Sequence, residues 1–270
     1  MKASIDLAIN CYERTYRKVL SPGFFKAIER QNKQVFRKVA IINNVNDRSD
    51  AESRAHDLLK AKEIDTYYFV ADHIASALKT VGLNVQDLKP IPHFIDWALV
   101  IATIPGSEWI LHWDAEIKLE HQEDWITPAR ELMEKEPGIF TANPNWKQQT
   151  LEQETRYTLG DFAIGYGFSD QLFLTRRKDL NAPIYNYFCP ISLRYPLAHL
   201  GSTFEKRIDA YMRNKGRTRA TYKKLRYLHP ENEGVMHPPA NAIEKAKIRS
   251  IKIALKLLST IPIYHPMLKE

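Results

Sequence analysis

Two carboxylates at the end of an apolar run are the residues of this chain that most clearly suggest chemistry. Residues 109–117 read WILHWDAEI, so Asp114 and Glu116 follow a segment typical of a strand buried on both faces. Mg²⁺ and Mn²⁺ prefer oxygen ligands, and Mg²⁺ usually shares them with the phosphates of a substrate. The pair therefore predicts a divalent-cation site at the mouth of a strand; the alternative is a solvated strand end.

Strand-like and helix-like segments alternate along the chain and would position this pair. Repeated strand, helix, strand units predict an α/β fold with a mainly parallel sheet and helices on both faces. Ser21 is the expected N-cap of the first helix, and Ser49 opens a capping box before the second. In chain order, the predicted elements are strand 4–9, helix 21–31, strand 38–43, capping box 49–52 with helix 53–64, strand 65–70, helix 71–82, helix 93–104, strand 109–113, helix 128–138, strand 138–142, further strands within 155–190, helix 204–216 and strand 222–229.

Polar residues follow three of the predicted strands. They are residues 10–14 (NCYER), 43–47 (NNVND) and 114–116 (DAE). In open parallel sheets, ligands bind beyond the carboxyl ends of the strands. The three clusters are therefore expected to meet at one edge of the sheet.

A series of short motifs between residues 4 and 230 resembles the nucleotide-sugar glycosyltransferases of the GT-A fold, especially the inverting family 2 type. NCYER and residues 41–50 (IINNVNDRSD) resemble the two strand-end motifs that touch the nucleoside, and WDAE resembles the D-x-D motif that carries metal and diphosphate. Residues 204–216 (FEKRIDAYMRNKG) resemble the helix that opens with an acidic base. Residues 222–229 (YKKLRYLH) resemble the strand whose histidine completes the metal site. The resemblance implies a GT-A (Rossmann-like) sheet flanked by helices, with a smaller mixed region on the acceptor side.

The resemblance also implies a role for each matching residue. Asp114, Glu116 and His229 would hold a divalent cation, Mn²⁺ or Mg²⁺, on the diphosphate of the donor. Glu205 would deprotonate an acceptor hydroxyl, which then attacks the anomeric carbon with inversion. The nucleotide-sugar-binding residues would be Asn10, Tyr12, Glu13, Asn43, Asn44, Asp47, Asp96 and Asp114.

The sequence departs from the family pattern at several of these positions. Cys11 replaces a common threonine, Asn43 and Asn44 stand where at least one aspartate is usual, and Lys206 follows Glu205 in place of a second acid. The D-x-D motif is here D-A-E. These departures bear on the nucleotide and on the base more than on the fold, and they leave a catalytically silent nucleotide-sugar-binding relative as an alternative.

Structural roles compete with the functional ones. Ser202 and Glu205 fit an S-x-x-E capping box, so Glu205 is equally expected as a helix cap. His229, taken alone, fits a core or loop histidine. Asn and Asp residues such as Asn43 and Asp47 commonly bond their own backbone in turns.

Residues 165–173 (GYGFSDQLF) suggest a surface for the acceptor. Tyr166 and Phe168 could pack on a sugar face beside Asp170, and the motif lacks the third glycine of a dinucleotide fingerprint. The simpler interpretation, a β-hairpin with core aromatics, is favoured.

The last quarter of the chain holds its basic surplus. Residues 205–256 contain 14 Lys/Arg against 5 Asp/Glu, whereas the net charge of the whole chain is +7. Such a segment suits phosphorylated ligands, nucleic acid or an anionic membrane. Residues 243–258 form an amphipathic helical pattern, which predicts either a peripheral membrane contact or, by a small margin, a terminal helix packed on the domain.

Composition sets the remaining expectations. The 44% hydrophobic and 26% charged residues are those of a globular protein, and Cys11 and Cys189 lie too far apart in sequence for a redox or metal motif. We expect a cytoplasmic protein, with the inner face of the membrane as the alternative. One GT-A domain is predicted, with a nucleotide-sugar-binding half (1–120), an acceptor-binding half (121–235) and a helical tail (236–270).

The predicted function is metal-dependent transfer of a sugar from a nucleotide diphosphate sugar to a glycan or a glycolipid (lipid-linked) acceptor. We expect no nucleic-acid partner, because an acidic D-A-E strand end would have no purpose in a nucleic-acid-binding protein. That class, using the basic last quarter, is nevertheless the alternative function.

Overall fold

A single mixed sheet forms the centre of the computed structural model, which describes residues 5–147, 155–229 and 241–258. Ser4, the first residue of the predicted strand 4–9, lies outside the described residues. So do residues 236–240 and 259–270 of the predicted tail. The described strands are β1 (Ile5–Cys11), β2 (Arg37–Ile42), β3 (Thr66–Phe69), β4 (Trp109–Trp113), β5 (Lys118–Leu119), β6 (Ile139–Trp146), β7 (Thr155–Leu159), β8 (Phe162–Gly165), β9 (Leu172–Arg176) and β10 (Thr218–Leu228). The described α-helices are α1 (Tyr16–Val19), α2 (Phe24–Asn32), α3 (Arg48–Lys60), α4 (Val70–Val81), α5 (Asp96–Thr103), α6 (Ile126–Lys135), α7 (Arg177–Leu180), α8 (Phe204–Asn214) and α9 (Ala242–Leu258).

The sheet has a parallel half and a mixed half. Its strand order is β3-β2-β1-β4-β9-β6-β10-β8-β7, and β5 pairs with β10 outside this path. The first four strands in this order, β3, β2, β1 and β4, are parallel to one another. Beyond them, β9 runs antiparallel to both β4 and β6, and β8 runs antiparallel to β10. The predicted parallel sheet with a smaller mixed region is therefore confirmed.

Helices cover both faces of the sheet because successive side chains of a strand point to opposite sides. In β1, Leu7 and Ile9 belong to the core beneath α1, α2, α3 and α6. Ala8, between them, belongs to the core beneath α4, α5 and α8. Strands buried on both faces read as continuous apolar runs, which is how β4 appears in the sequence.

Two of the predicted helix caps are wrong. Helix α3 is capped by Asp47, whose side chain accepts a hydrogen bond of 2.9 Å from the backbone N–H of Asp50. The predicted cap, Ser49, already lies inside the helix. Helix α2 begins after Gly23, which has a φ of 82°, and not after Ser21. In both cases the sequence pattern favours a serine, while the chain enters the helix at a residue two positions away.

Candidate active site

Asp114, Glu116 and His229 lie together at the edge where β4 and β10 end. Each offers a ligand atom, and these atoms lie within 4.8 Å of one another. Nε2 of His229 is 3.4 Å from Oδ1 of Asp114. The three residues predicted for the cation site are thus brought together across 115 positions of sequence.

A two-residue strand explains how His229 reaches the two acids. After Glu116 the chain turns back as β5, and Lys118 pairs with Leu228 of β10 in antiparallel register. The residue after Leu228 is therefore held beside the turn that carries Asp114 and Glu116.

Hydrogen bonds fix the shape of that turn. Oδ1 of Asp114 accepts from the backbone N–H of Glu116 at 2.9 Å, an Asx turn, and the ammonium group of Lys18 donates to the carbonyl oxygen of Ala115 at 2.8 Å. The Asp114 carboxylate and the backbone that carries Glu116 are therefore held by the fold.

Charge and burial oppose each other in this cluster. Burial favours the neutral form of Asp114, but the hydrogen bond and charge of His229 outweigh it and lower the pKa of Asp114 below its usual value. Burial also disfavours the imidazolium form of His229, and Asp114 outweighs it and raises the pKa of His229. The cluster is therefore an ion pair when His229 is protonated, and it offers a ligand nitrogen when that proton leaves.

The donor set fits a divalent cation. Two carboxylates and one imidazole suit Mn²⁺, and the carboxylates suit Mg²⁺. Nδ1 of His229 is buried without a hydrogen-bond partner among the described residues, which is unusual for a buried polar atom. A ligand group or cation at Nδ1 would supply this partner, while Nε2 faces Asp114.

A second pair of carboxyl groups lies beside the cluster. The backbone N–H of Asp170 donates to Oε1 of Glu205 at 3.3 Å. Burial, together with the charge of Asp114, raises the pKa of Asp170 to about 6. Burial and the charge of Asp170 raise the pKa of Glu205 well above its usual range. A carboxyl group tuned upward is a suitable general base near neutral pH.

The predicted S-x-x-E capping box does not form. Helix α8 is capped by Thr203, whose hydroxyl accepts from the backbone N–H of Lys206 at 3.4 Å. With Thr203 as the cap, a capping box needs its acidic residue at position 206. Glu205 lies one residue earlier and contacts Asp170 instead. The capping alternative for Glu205 is therefore wrong in the form predicted.

The predicted nucleoside residues divide into two groups. Nδ2 of Asn43 donates to Oδ1 of Asp96 at 2.9 Å, and both side chains are buried. Burial raises the pKa of Asp96 to about 6. Asn10, at the end of β1, has a buried Oδ1 without a partner among the described residues. These three residues can offer polar atoms to a ligand.

The other predicted nucleoside residues already have backbone roles. Oε2 of Glu13 accepts from the backbone N–H of Asn46 at 2.7 Å, and Asp47 caps α3. Asn44 is exposed and has a φ of 46°, the left-handed conformation that asparagine tolerates in turns. Tyr12 is half-buried, and its backbone N–H donates to Thr15. Asp47 and Asn44 therefore have the local backbone roles that Asn and Asp commonly have in turns.

The aromatic residues predicted for the acceptor are core residues. Phe168 is 3% exposed and packs on Phe173 and Phe204, and Tyr166 is 7% exposed with Arg213 over its ring. Neither ring offers a free face to a sugar, so the aromatic acceptor wall is not present. The hairpin is also absent, because β8 pairs with β7 and β10 while β9 pairs with β4 and β6.

Two residues at the site were not predicted. His112, on β4, is buried, stacks on Trp97 at 4.3 Å between ring centroids, and has a pKa lowered to about 4 by burial. Its Nδ1 is 3.1 Å from the carbonyl oxygen of Ala8. Gln171 accepts from the backbone N–H of Asp114 at 2.8 Å through its own carbonyl oxygen, and its side-chain Oε1 is buried without a partner among the described residues. Position next to Asp170 was the only sequence signal for Gln171.

Part of the basic surplus lies at residues 213, 215, 217, 219, 223, 224 and 226, and several of these side chains are in ion pairs. Arg213 pairs with Asp209, and Lys224 pairs with Asp161. Arg213 is buried on α8, whereas Lys224 is exposed on β10.

The fold of this chain is similar to that of a solved structure. The crystal structure of GalNAc-T7 with UDP, GalNAc and Mn²⁺ is similar to this chain with a TM-score of 0.50 and 10% sequence identity, over 97% of this chain and 53% of GalNAc-T7. The chain has the GT-A fold. This confirms the predicted fold, and the chain spans about half the length of GalNAc-T7.

Two further structures are similar at lower scores. The galactosyltransferase LgtC, in complex with donor and acceptor sugar analogs, has a TM-score of 0.36 and 13% identity over 65% of this chain and 59% of LgtC. Residues 1–349 of S. aureus TarS have a TM-score of 0.44 and 9% identity over 94% of this chain and 65% of that one. No protein-family model matches the sequence, and no curated protein matches it significantly. Membership of family 2 stays a prediction.

Proposed function

We propose that the protein is a metal-dependent glycosyltransferase that moves a sugar, with inversion, from a nucleoside diphosphate sugar to a glycan or glycolipid acceptor. The observation that carries this proposal is the position of the Asp114, Glu116 and His229 cluster beside Asp170 and Glu205, at the carboxyl edge of the parallel strands. A cation-binding set next to a carboxyl group of raised pKa matches what transfer from a diphosphate donor requires.

The donor would lie along the carboxyl ends of β1, β2 and β4. In this proposal Asn10, Asn43 and Asp96 contact the nucleoside, while Glu13 and Asp47 shape the loops around it. Residues 1–120 then form the donor half of the domain and residues 121–235 the acceptor half. UDP is the first nucleotide to test, because the structure of GalNAc-T7 contains UDP and Mn²⁺.

The chemical step would need one base and one stabilised leaving group. Glu205 takes the proton of the acceptor hydroxyl, whose oxygen forms a bond to the anomeric carbon as the bond from that carbon to the diphosphate oxygen breaks. A bound Mn²⁺ or Mg²⁺ supplies charge neutralisation on the departing diphosphate. Asp170, next to Glu205, keeps the pKa of the base high by repulsion. Attack from the side opposite the diphosphate accounts for inversion.

Nucleotide binding tests the proposal directly. A ligand that binds only the folded state raises the melting temperature, by an amount equivalent to about 2.7 kcal/mol at a ligand concentration of 100 times Kd. We expect a shift with UDP or another nucleoside diphosphate that requires Mn²⁺ and is lost in Asp114→Ala. Asp57→Ala, which removes an exposed carboxylate from α3, is the matched control and should keep the shift.

Donor hydrolysis separates an enzyme from a silent relative. An active protein should slowly hydrolyse its nucleotide sugar without acceptor, and Asp114→Ala should not. Mn²⁺-dependent nucleotide binding without hydrolysis or transfer would identify a binding protein. Absence of a thermal shift with every nucleoside diphosphate would contradict the proposal as a whole.

A further inference from the structure

Helix α9 presents two apolar faces, and the domain covers only one of them. On the covered face, Ile248, Ile251 and Leu255 are half-buried. Nε2 of His199 lies 2.9 Å from Oε1 of Glu244, which ties the first turn of the helix to the domain. The predicted packing of this helix on the domain therefore describes one side of it.

The second apolar face is open to solvent. Ile243 is 70% exposed, Ile253 is 53% exposed and Leu257 is 63% exposed. With 3.6 residues per turn, these three positions fall within about 100° of one another, and exposed Ala246 and Ala254 fall in the same arc. A surface helix of a globular protein ordinarily has one apolar stripe, facing the core. Ser250 is also exposed in this arc, so the second face is a mostly apolar stripe of six positions and not a single exposed residue.

Basic residues border this open face. Lys245, Arg249 and Lys252 lie along the side next to Ile253, and Lys247 lies along the other side next to Ile243. Within residues 5–147, 155–229 and 241–258, these four cations make no ion pair, so their charge is available to a partner. An exposed apolar strip between unpaired cations is complementary to a surface that has anionic groups above a hydrocarbon layer.

We propose that the open face of α9, formed by Ile243, Ala246, Ile253, Ala254 and Leu257, binds an anionic lipid surface. The helix would lie in the plane of that surface. None of the helices in the described ranges is long and apolar enough to cross a membrane. A second copy of the chain fits this face less well, because the two sets of bordering cations would repel each other.

The position of α9 relates this surface to the acceptor side of the fold. The helix packs on the 3₁₀ turn Pro190–Arg194, and that turn also packs on α8, the helix that carries Glu205. If the proposed glycosyl transfer is correct, on which this step rests, a single turn of chain joins the lipid-binding helix to the helix that carries the base. The acceptor would then be a sugar linked to a lipid.

Vesicle co-sedimentation tests the lipid surface with the purified full chain. We expect binding to vesicles of phosphatidylcholine with one third phosphatidylglycerol, weaker binding to phosphatidylcholine alone, and weakening by salt. Ile243→Glu with Ile253→Glu should lower the partition coefficient more than about tenfold. Lys245→Ala with Lys252→Ala should lower it about 25-fold on anionic vesicles, since one lysine near such a surface is worth about fivefold.

The chain offers a matched control for the glutamate pair. Val35 and Val85 are 78% and 61% exposed and lie outside α9. Val35→Glu with Val85→Glu adds the same charge and removes comparable apolar surface. Any loss of vesicle binding in this pair measures the effect of the added charge alone, and it should be smaller than the loss in the Ile243, Ile253 pair. The Mn²⁺-dependent nucleotide shift, measured on the same samples, should be the same in the parent and in the Ile243, Ile253 pair.

Several results would overturn the proposal. These are no preference for anionic vesicles, equal losses in the Val35, Val85 pair, or a dimer in light scattering that the Ile243, Ile253 substitutions split into monomers. If the nucleotide shift is present and vesicle binding is absent, the lipid surface fails and the glycosyltransferase proposal stands. If vesicles bind and no nucleotide does, the lipid surface stands and the lipid-linked acceptor fails.

Discussion

The backbone N–H of Asp170 donates to Oε1 of Glu205 at 3.3 Å, so two acidic residues 35 positions apart occupy one environment. Burial raises the pKa of both carboxyl groups; the charge of Asp114 raises that of Asp170 further, and the charge of Asp170 raises that of Glu205 further. Groups that interact this closely take up protons in linked steps that belong to the pair. The protonation of Glu205 therefore depends on whether Asp170 is charged.

The pH dependence of transfer should report this coupling. Glu205 acts as a base only when ionised, so we expect kcat/KM to rise with pH through the raised pKa values of the pair. Asp170→Asn removes a negative charge beside Glu205, lowers its pKa and moves the rise to lower pH. Glu205→Gln should abolish the rise and lower kcat about 10²–10⁴-fold. The measurement is kcat/KM between about pH 5 and 9, at saturating cation; the same profile in Asp170→Asn and the parent would contradict the coupling.

Thr203 and Glu205 should separate helix capping from catalysis. Thr203→Ala removes the side chain that caps α8 and should lower the free energy of unfolding by about 1 kcal/mol, with turnover retained. Glu205→Gln should lower turnover and leave the free energy of unfolding unchanged, because the carboxyl of Glu205 does not cap the helix. Urea unfolding of both variants, with activity measured in parallel, checks this. An equal loss of stability in Glu205→Gln would return Glu205 to a structural role.

The strands and the edge that carries Asp114 could be predicted because their signals are local. A buried strand such as β4 is apolar throughout, and the carboxyl ends of parallel strands share one edge. Asn43 and Asp96, placed near each other through the family resemblance, are joined by a hydrogen bond of 2.9 Å.

The contacts that complete the site depend on register between distant segments. The pairing of Lys118 with Leu228 involves a strand of two residues, too short for any periodic pattern. Both Ser202 and Thr203 have the chemistry of a helix cap, and only the backbone conformation selects Thr203. The burial of Phe168 follows from its contact with Phe204, which no local pattern reveals.

Asp96 should make the folded state less stable as pH rises. Its folded pKa of about 6 lies above the ordinary value of 3.8, so the folded state binds the proton more tightly than the unfolded state. The free energy of unfolding should then fall by about 3 kcal/mol as pH rises from about 4 to above 6. Asp96→Asn should remove that fall and should therefore gain stability relative to the parent across this range. Urea unfolding at several pH values measures this difference in the free energy of unfolding, with Asp57→Asn on α3 as the control. If the free energy of unfolding has the same pH dependence in the parent and in Asp96→Asn, the prediction is wrong.

Asp6 should matter for folding alone. It is 1% exposed and lies at the start of β1, away from the carboxyl edge, where it pairs with Arg37 at 2.8 Å and Arg177 at 2.5 Å. Asp6→Ala leaves buried guanidinium charge without its partner and should lower the free energy of unfolding by about 3–5 kcal/mol. Nucleotide affinity of the folded protein should not change. A loss below about 1 kcal/mol in urea unfolding would show that water replaces the carboxylate.

Gln171 should lower the stability of the ligand-free protein and contribute to binding of the donor. Gln171 contacts the cation cluster through its backbone, because the backbone N–H of Asp114 donates to its carbonyl oxygen at 2.8 Å. Oε1 of Gln171 and Oδ1 of Asn10 are both buried acceptors without a partner among the described residues.

A buried acceptor without a donor costs about 1–3 kcal/mol, so Gln171→Met should raise the free energy of unfolding of the ligand-free protein by about 1 kcal/mol. A hydroxyl of the donor sugar would satisfy this oxygen in the complex, so the same variant should bind the nucleotide sugar about tenfold more weakly while its affinity for the free nucleotide stays unchanged. Gln122→Met, on an exposed loop, should alter neither quantity. Calorimetric titration with nucleotide and nucleotide sugar distinguishes the two affinities, and equal losses for both ligands would assign Gln171 to the nucleotide instead of the sugar.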